Sequence, residues 1–446
     1  MATRQLIFLS IPGLRPGDVD AATTPTLFQW AERGTIAELT PTFPCVTSPV
    51  QANMLTGCGP SEHGVIANGF YYRERNEVGF WVAHNEIIQR PQTWDVLNRN
   101  APELTSAVWH AQNIKSAGAA FIVTPSPIHE DDGSTKLWCY SKPDRFYQAL
   151  IERFGHFPLQ HYWGPLSNIG STRWILKAAA HLAGQHAPNF HWIYLPHLDY
   201  ASQKYGPNSP QARQAFIDLD AELAGFAAAV AASDDGGEPV FLVAGEYAMT
   251  DVSGVVYPNR LLREGGFLAI REESGREYVD LTASRAFAMV DHQFAHVYVR
   301  NAADVPACAA LLRTDSGLAG VFAGAQRKEI GLDHPRSGEI VLVAKDTHWL
   351  AYYWWLDDKL APPFARTVDI HAKPGYDPVE LFIDQATKSI PLDATLVKGS
   401  HGAPATEPRH RAALICSEAA DLVESGTTYR DLDVHAMVLG LLGADR

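Results

Sequence analysis

The stretch from Pro41 to Gly57 places hydroxyl side chains where a proline-rich loop turns into a helix. Its prolines disfavour a strand, and Thr47 or Ser48 is predicted to cap a helix whose first turn contains Pro49. A hydroxyl at that point lies at the positive end of the helix, where unpaired backbone N–H groups stabilise an attacking oxygen and a phosphate. Thr47 is therefore the candidate nucleophile. The alternative is that Thr47 only caps the helix.

Three other loops carry side chains that bind metals or transfer protons. Asp199 and Glu246 each follow an apolar run that is typical of a buried strand, and His401 lies between glycines in a loop. Carboxylates and imidazoles are common metal ligands and common acid–base groups. These three residues are the candidate partners of Thr47.

Apolar runs alternate with helical patterns along much of the chain, which predicts an α/β fold built on a doubly wound, mostly parallel sheet. Ligands of such sheets bind at the carboxyl ends of the strands, so the loops after the strands are expected to form the site. The main predicted elements are strands at 6–10, 190–195 and 239–244 and helices at 24–34, 173–187 and 212–232.

The sequence predicts a core with two additions. Residues 1–283 form the core, interrupted at about 70–165 by an aromatic-rich excursion that covers the site, and residues 284–365 form an inserted α+β cap. Residues 366–446 return to the core and carry the His401 loop. The elements predicted within the cap are strands at 287–299, 321–330, 339–344 and 350–356 and a helix at 305–313.

Aromatic side chains in the excursion have two interpretations. Trp81 and Trp109 either stack on a ligand or pack the excursion itself. Packing is the favoured interpretation, because most buried aromatic residues are structural.

The composition excludes several classes of protein. A formal net charge of −14 disfavours binding to a nucleic-acid polymer, because neutralising its phosphates needs clustered Lys and Arg. The five cysteines show no metal-type spacing, which predicts free thiols in a reducing compartment. No signal-type segment and no run long enough to span a bilayer are found, so we predict a cytoplasmic protein without a membrane partner.

The loops match, in order, those of the nucleotide pyrophosphatase/type I phosphodiesterase branch of the alkaline phosphatase superfamily. The resemblance extends from Leu6 to Gly402 and is most specific at 43–57, 60–64, 199–207 and 399–402. It implies an alkaline phosphatase-like core and a phosphate-processing site at the carboxyl edge of the sheet. It also implies a threonine nucleophile at Thr47 and two zinc ions held by Asp and His residues, which activate the hydroxyl and bind the phosphoryl oxygens.

Only part of the metal-binding set that the resemblance implies is present. Asp199 and His401 match, but the Asp after the first strand is Pro12, and the His four residues after Asp199 is Gln203, which is predicted to be only a weak ligand. The Asp-His pair after the 239–244 strand is Glu246-Tyr247, and the phosphate-binding Asn three residues after the nucleophile is Val50. A dinuclear zinc centre of the usual composition is therefore not expected, and the cofactor is predicted to be one divalent ion, zinc by resemblance, or none.

Other side chains are candidates to compensate for the missing groups. His197 lies two residues before Asp199, and on an extended segment both side chains would share a face. His292 and His296 also share a face at their spacing and form a weaker candidate pair. Asn53 and Tyr247 are the candidate substrate-binding residues. For each of the eighteen histidines a structural role is favoured unless several converge.

The leading hypothesis is a phosphoric ester or phosphodiester/pyrophosphate hydrolase, or a related transferase, that acts on a small phosphate-containing molecule. In it Thr47 attacks, and a reduced or rearranged metal site contains Asp199, Glu246 and His401. The alternatives are a catalytically degenerate member that acts as a binding or scaffold protein, and a metal-free enzyme of a biosynthetic intermediate with Glu246 or His401 as general base.

Overall fold

A computed structural model describes residues 4–129, 135–232, 237–419 and 422–444. The first three residues, part of the start examined for a signal segment, lie outside this set. None of the helices in these ranges has the length and apolar character needed to cross a bilayer. All five cysteines are free thiols, which confirms that part of the prediction, whereas the compartment stays a prediction.

The helices are mostly amphipathic and begin at prolines or polar residues. In chain order the α-helices of the described residues are α1 (Pro25–Arg33), α2 (Thr47–Thr56), α3 (Pro60–His63), α4 (Thr93–Asn100), α5 (Phe146–Phe154), α6 (Gly170–His186), α7 (His197–Tyr205), α8 (Pro210–Ala231), α9 (Pro258–Glu264), α10 (Val305–Leu312) and α11 (Asp433–Leu441).

The strands are short and the longest are fully buried. In chain order the described strands are β1 (Leu6–Ile11), β2 (Thr35–Thr40), β3 (Gly69–Tyr72), β4 (Glu77–Phe80), β5 (Ser106–Trp109), β6 (Phe121–Pro125), β7 (Ile128–His129), β8 (Thr135–Lys136), β9 (Cys139–Lys142), β10 (Phe190–Tyr194), β11 (Val240–Gly245), β12 (Thr250–Asp251), β13 (Gly254–Val256), β14 (Ile270–Glu273), β15 (Arg276–Val279), β16 (Ala286–Asp291), β17 (Phe294–Val299), β18 (Leu318–Ala323), β19 (Ile340–Ala344), β20 (His348–Leu350), β21 (Gly399–Ser400), β22 (Ala412–Cys416) and β23 (Thr428–Arg430).

The largest sheet has nine strands in the order β23-β2-β22-β11-β1-β10-β5-β6-β9. Only β22, which is antiparallel to both of its neighbours, and the edge strand β9 break the parallel arrangement. Side chains of β1 alternate between two apolar clusters, with Ile7 and Leu9 on the face covered by α6 and α8 and Phe8 on the face covered by α2, α4 and α11. This layering confirms the predicted mostly parallel α/β fold.

The aromatic-rich stretch at 70–165 is more than an excursion over the site. It supplies β5, β6 and β9, three strands of the nine-stranded sheet. These strands were missed because turns and prolines separate short apolar runs, which hides their periodicity. Trp109 is buried in β5 and packs the core, as favoured, whereas Trp81 borders the cavity described below.

A second, four-stranded sheet in the order β16-β17-β19-β18 lies within the segment predicted as the cap. The strand predicted at 287–299 is instead the hairpin β16–β17, whose turn contains His292 with φ of 61°. Residues 324–330 form a 3₁₀ helix, and the strand predicted at 350–356 is replaced by β20, which ends at Leu350. The domain boundaries stay a prediction.

The helix α2 begins at Thr47, and Val46 is its N-cap residue, so the predicted capping role of Thr47 or Ser48 is wrong. The loop before α2 is tied to the far end of the chain by Asp431. The Asp431 carboxylate accepts hydrogen bonds from the backbone N–H and hydroxyl of Thr42 at 3.0 and 2.6 Å. It also accepts one from Asn53 Nδ2 at 2.7 Å.

Replacing Asp431 with Ala should therefore loosen the loop before α2. The change leaves buried donors of Thr42 and Asn53 without an acceptor, which costs about 1–3 kcal/mol of unfolding free energy. Urea unfolding followed by circular dichroism measures the loss, with the exposed Asp144→Ala as the control. Equal stability of the two variants would contradict the proposed anchor.

Candidate active site

The candidate residues meet at the carboxyl ends of three adjacent strands. Strands β10, β1 and β11 lie side by side, and Asp199 follows β10 on α7, whereas Glu246 and Tyr247 follow β11 directly. Thr47 reaches the same edge as the first residue of α2. The β-strand register thus brings distant parts of the sequence to one place, as expected for this class of sheet.

The Thr47 hydroxyl contacts the phenol of Tyr247. Its Oγ1 lies 3.0 Å from the OH of Tyr247, and both side chains are buried. The Tyr247 ring stacks on the His401 imidazole at 3.6 Å between centroids and 7° between planes. Thr47, Tyr247 and His401 therefore form one contiguous group. The predicted substrate-binding role of Tyr247 stays a prediction.

Glu246 is a fully buried carboxyl that two neighbours hold through one oxygen. Ser10 Oγ and Gln51 Nε2 each donate to Glu246 Oε1 at 2.7 Å, while Oε2 has no partner. Burial raises the pKa of Glu246 to about 8, because the carboxylate loses its hydration. The group is accordingly mostly protonated at neutral pH.

Asp199 and His401 face each other with unpartnered atoms. His401 Nδ1 donates to the Cys45 carbonyl at 2.8 Å, which leaves its Nε2 as a bare acceptor 3.7 Å from Asp199 Oδ1. Both of these atoms are buried without a hydrogen-bond partner. Burial raises the pKa of Asp199 to about 7 and lowers the pKa of His401. Two acceptors that face each other without a donor fit a shared cation.

Gln203 does not act as a ligand in place of the expected histidine. Its Nε2 donates to Asp199 Oδ2 at 2.6 Å, and its Oε1 accepts from Tyr376 OH at 2.8 Å. Both ends of the amide are thus occupied, which corrects its prediction as a weak ligand. Gln203 instead holds Asp199 with Oδ1 turned toward His401.

The substitute ligands proposed from the sequence do not assemble. His197 begins α7, and two residues along a helix correspond to about 200° of rotation, so His197 and Asp199 do not share a face. His296 is occupied by the Ile66 carbonyl at 3.1 Å and by the Gly338 N–H at 3.3 Å. Both predictions assumed extended or regular spacing that the local structure does not have.

His292 is the one substitute that reaches the site, but as a stacked ring. It lies between His401 and Tyr376, with ring centroids 3.8 and 3.6 Å away, and its Nδ1 is 2.6 Å from Asp291 Oδ1. His296, which the sequence paired with His292, lies in β17 and contacts other groups.

Asn53, predicted to bind substrate, is fully buried and fully engaged. Its Nδ2 donates to Asp431, and its Oδ1 is 2.7 Å from His63 Nε2. These two bonds hold α2 in place, so Asn53 is not free for a substrate. It lies one helical turn beyond position 50, where the resemblance implies the phosphate-binding Asn.

A cavity of about 540 Å³ opens beside Thr47. Thr47, Asp199 and His292 line one end of it. Its wall also includes residues that sequence analysis did not single out, because they come from four separate segments of the chain. They are His110, Tyr162, Trp163, Tyr194, Tyr200 and Tyr376, and Asp369 lines the cavity as well.

The residues present do not fit two metal ions. At the second metal position Pro12 offers no side-chain ligand, Glu246 Oε1 is held by Ser10 and Gln51, and burial keeps the Tyr247 phenol protonated by raising its pKa. Within the described ranges no cluster of three or more His, Cys, Asp or Glu side chains is arranged to hold a metal. The Asp199–His401 pair alone fits a single ion, with two protein ligands.

The mostly parallel sheet, with the candidate residues at its carboxyl edge, gives the chain an alkaline phosphatase-like fold. Residues 6–377 match the type I phosphodiesterase / nucleotide pyrophosphatase family, and the chain belongs to that family. This confirms the resemblance noted in the sequence.

Individual relatives are distant. A Schizosaccharomyces pombe protein described as an uncharacterized pyrophosphatase/phosphodiesterase is 23% identical over 214 residues, which is 46% of this chain. The chain spans only 36% of that relative's length. Phosphonoacetate hydrolase of Sinorhizobium meliloti superposes with a TM-score of 0.65 at 18% identity, covering 100% of this chain and 96% of that one. Murine ectonucleotide pyrophosphatase / phosphodiesterase 5 gives 0.64 at 12%, covering 99% and 95%. These structures share the fold.

The raised pKa of Glu246 makes stability depend on pH. Between the ordinary value of 4.5 and about 8 the folded protein keeps a proton that the unfolded chain releases, so ionisation favours unfolding as pH rises. Glu246→Gln removes this contribution. The Tm of the variant minus that of the wild type should therefore increase by a few degrees from pH 5 to pH 8 in chelator-treated protein.

Thermal scans at several pH values measure this difference. The exposed Glu424→Gln is the control and should show a constant difference. A constant difference for Glu246→Gln as well would contradict the raised pKa.

Proposed function

We propose that the chain hydrolyses a phosphoric ester through Thr47, with at most one divalent ion at the Asp199–His401 pair. The observation that carries this proposal is the position of the Thr47 hydroxyl at the first turn of α2, at the edge of the cavity and within 3.0 Å of Tyr247 OH. Membership of a phosphodiesterase and pyrophosphatase family supports it. The substrate class follows from the family, so it belongs to this proposal.

In the proposed reaction Thr47 Oγ1 attacks phosphorus, the bond to the leaving oxygen breaks, and water later releases the phosphoryl group from Thr47. Tyr247 orients the attacking oxygen through its hydrogen bond. The backbone N–H of Thr47 is the one donor proposed to stabilise charge on the phosphoryl oxygens from the start of α2, because the Ser48 N–H donates to Asn68 Oδ1 and Pro49 has no N–H. The ionised form of Glu246, whose fraction grows as the pH approaches 8, is proposed to take the hydroxyl proton on Oε2, which has no partner, and to return it to the leaving oxygen.

The Asp199–His401 pair would hold the single ion. A divalent ion there supplies Lewis-acid stabilisation of charge on the substrate. Gln203 fixes the Asp199 carboxylate, and the Cys45 carbonyl fixes the His401 tautomer. These contacts support zinc as the proposed cofactor, because imidazole and carboxylate are both zinc ligands.

A catalytically degenerate binding protein is the second candidate. Pro12 and the Tyr247–His401 stack favour it, because they remove two of the expected ligands. It predicts that no substitution at Thr47 changes any turnover.

Thr47→Ala should lower turnover of an aryl phosphodiester such as bis-p-nitrophenyl phosphate by roughly 10³-fold or more, because the nucleophile is removed. Thr47→Ser should retain part of the rate. Release of nitrophenol is measured with zinc or manganese present, across a panel of diesters and monoesters. Thr56→Ala, at the other end of α2, is the control. Unchanged rates in Thr47→Ala would favour the degenerate candidate.

Metal content gives a separate test. Elemental analysis after zinc loading and gel filtration should find at most one ion per chain, and Asp199→Ala or His401→Ala should abolish binding because each removes one of two ligands. The exposed His84→Ala should bind as the wild type does. Two ions per chain, or binding that both variants retain, would contradict the single-ion site.

A further inference from the structure

One wall of the cavity beside Thr47 is a continuous set of aromatic rings. Trp81, Tyr376, Trp163 and Tyr200, here called the aromatic wall, all line it. Successive ring centroids are 6.1, 5.6 and 5.7 Å apart, and the planes are inclined by 67°, 49° and 71°. The wall is therefore bent, so its rings surround a volume rather than form a flat stack.

The polar edges of two of these rings are bonded away from the cavity. Trp163 Nε1 donates to Glu380 Oε2 at 2.5 Å, and Glu380 Oε1 is 2.6 Å from Lys373 Nζ in a buried ion pair. Tyr376 OH donates to Gln203 Oε1 at 2.8 Å. These bonds fix the rings before any ligand enters. A donor bonded to a carboxylate also makes the indole more electron-rich, which strengthens its attraction for a cation.

The charge of the lining has one sign. None of the described residues that line the cavity is Lys or Arg, and the lining includes Asp369, a carboxylate that the proposed single-ion site does not use. The nearest buried ammonium, Lys373, is already paired with Asp377 and Glu380. Asp369 Oδ1 accepts from the Ala372 N–H at 3.0 Å, which leaves Oδ2 for a ligand. A cavity of this composition favours a positive group over a second anionic one.

We propose that the aromatic wall and Asp369 bind an alkylated ammonium group carried by the substrate. Fixed aromatic faces with a nearby carboxylate are the arrangement that recognises quaternary and methylated ammonium ions. Together with the proposed function, on which the substrate role rests, this describes a phosphodiester with an ammonium-bearing group on one ester oxygen. A neutral aromatic substituent would stack on the same rings without using Asp369.

Comparing the binding of choline with that of its uncharged carbon isostere, dimethylbutanol, distinguishes an ammonium ligand from a neutral one. Quenching of tryptophan fluorescence and isothermal titration measure the affinity of each for the full chain. Choline should bind about 2- to 30-fold more tightly, the range expected from cation–π attraction. Equal affinity, or tighter binding of dimethylbutanol or phenol, would overturn the ammonium assignment.

Two variants localise the site. Asp369→Asn should weaken choline binding and leave dimethylbutanol unchanged, because it removes charge at a half-buried residue. Tyr200→Leu should weaken choline binding by a similar factor, whereas Tyr205→Leu, an exposed tyrosine of the same helix, should not. Circular dichroism checks folding, and Tyr200→Phe should retain binding. Unchanged choline affinity in both Asp369→Asn and Tyr200→Leu would overturn the site.

Thr47→Ala separates this inference from the proposed function, because it removes the nucleophile but not the aromatic wall. Choline binding in Thr47→Ala should match the wild type. If the wild type binds choline but turns over no phosphocholine ester, the proposed hydrolysis is contradicted and the ammonium site is not. Turnover of aryl phosphodiesters with no choline binding would contradict the ammonium site alone.

Discussion

The hydrogen bonds of the Glu246 carboxyl determine the character of the site. Ser10 brings the end of β1 to this oxygen, and Gln51 brings the first half of α2, so one buried acid joins the strand, the helix and the β11 loop. Gln51 Oε1 in turn accepts from the Gln112 N–H at 2.7 Å, which extends the network toward β5. Ser10 and Gln51 already bond to Glu246 Oε1, so this oxygen is not available to a second metal ion. Glu246 instead fixes the position of Thr47 and Tyr247.

The two halves of the site therefore differ in chemistry. On one side Asp199 and His401 retain bare, facing acceptors that a cation satisfies. On the other side a stack of Tyr247 on His401 and the proline at position 12 exclude a cation. A tyrosine ring and an amide occupy two positions at which the resemblance implies metal ligands, with Tyr247 stacked on His401 and Gln203 bonded to Asp199 and Tyr376.

The sequence predicted the central elements well, because β1, β10, β11, α6 and α8 are long and strongly patterned. It did not predict β5, β6 and β9, whose short runs are separated by turns, nor the hairpin at His292, which needs a backbone conformation uncommon outside glycine. Thr47 was proposed from a proline-rich loop that enters a helix, Asp199 and Glu246 from the ends of apolar runs, and His401 from a glycine-flanked loop, and their roles stay predictions. Their actual partners did not follow from such patterns, since Gln203 and Tyr376 meet only through tertiary packing.

The aromatic wall illustrates why site chemistry is harder to predict than site position. Trp81, Trp163 and Tyr376 come from three segments, and each alone is better explained as core packing. Their proposed role in binding a cation depends on where their polar groups bond. If the Trp163 N–H pointed into the cavity, it would favour a hydrogen-bond acceptor over a cation. The Lys373–Glu380 ion pair settles that direction by offering an acceptor on the far side. A buried ion pair of little net stabilising value thus fixes which face of the ring meets a ligand.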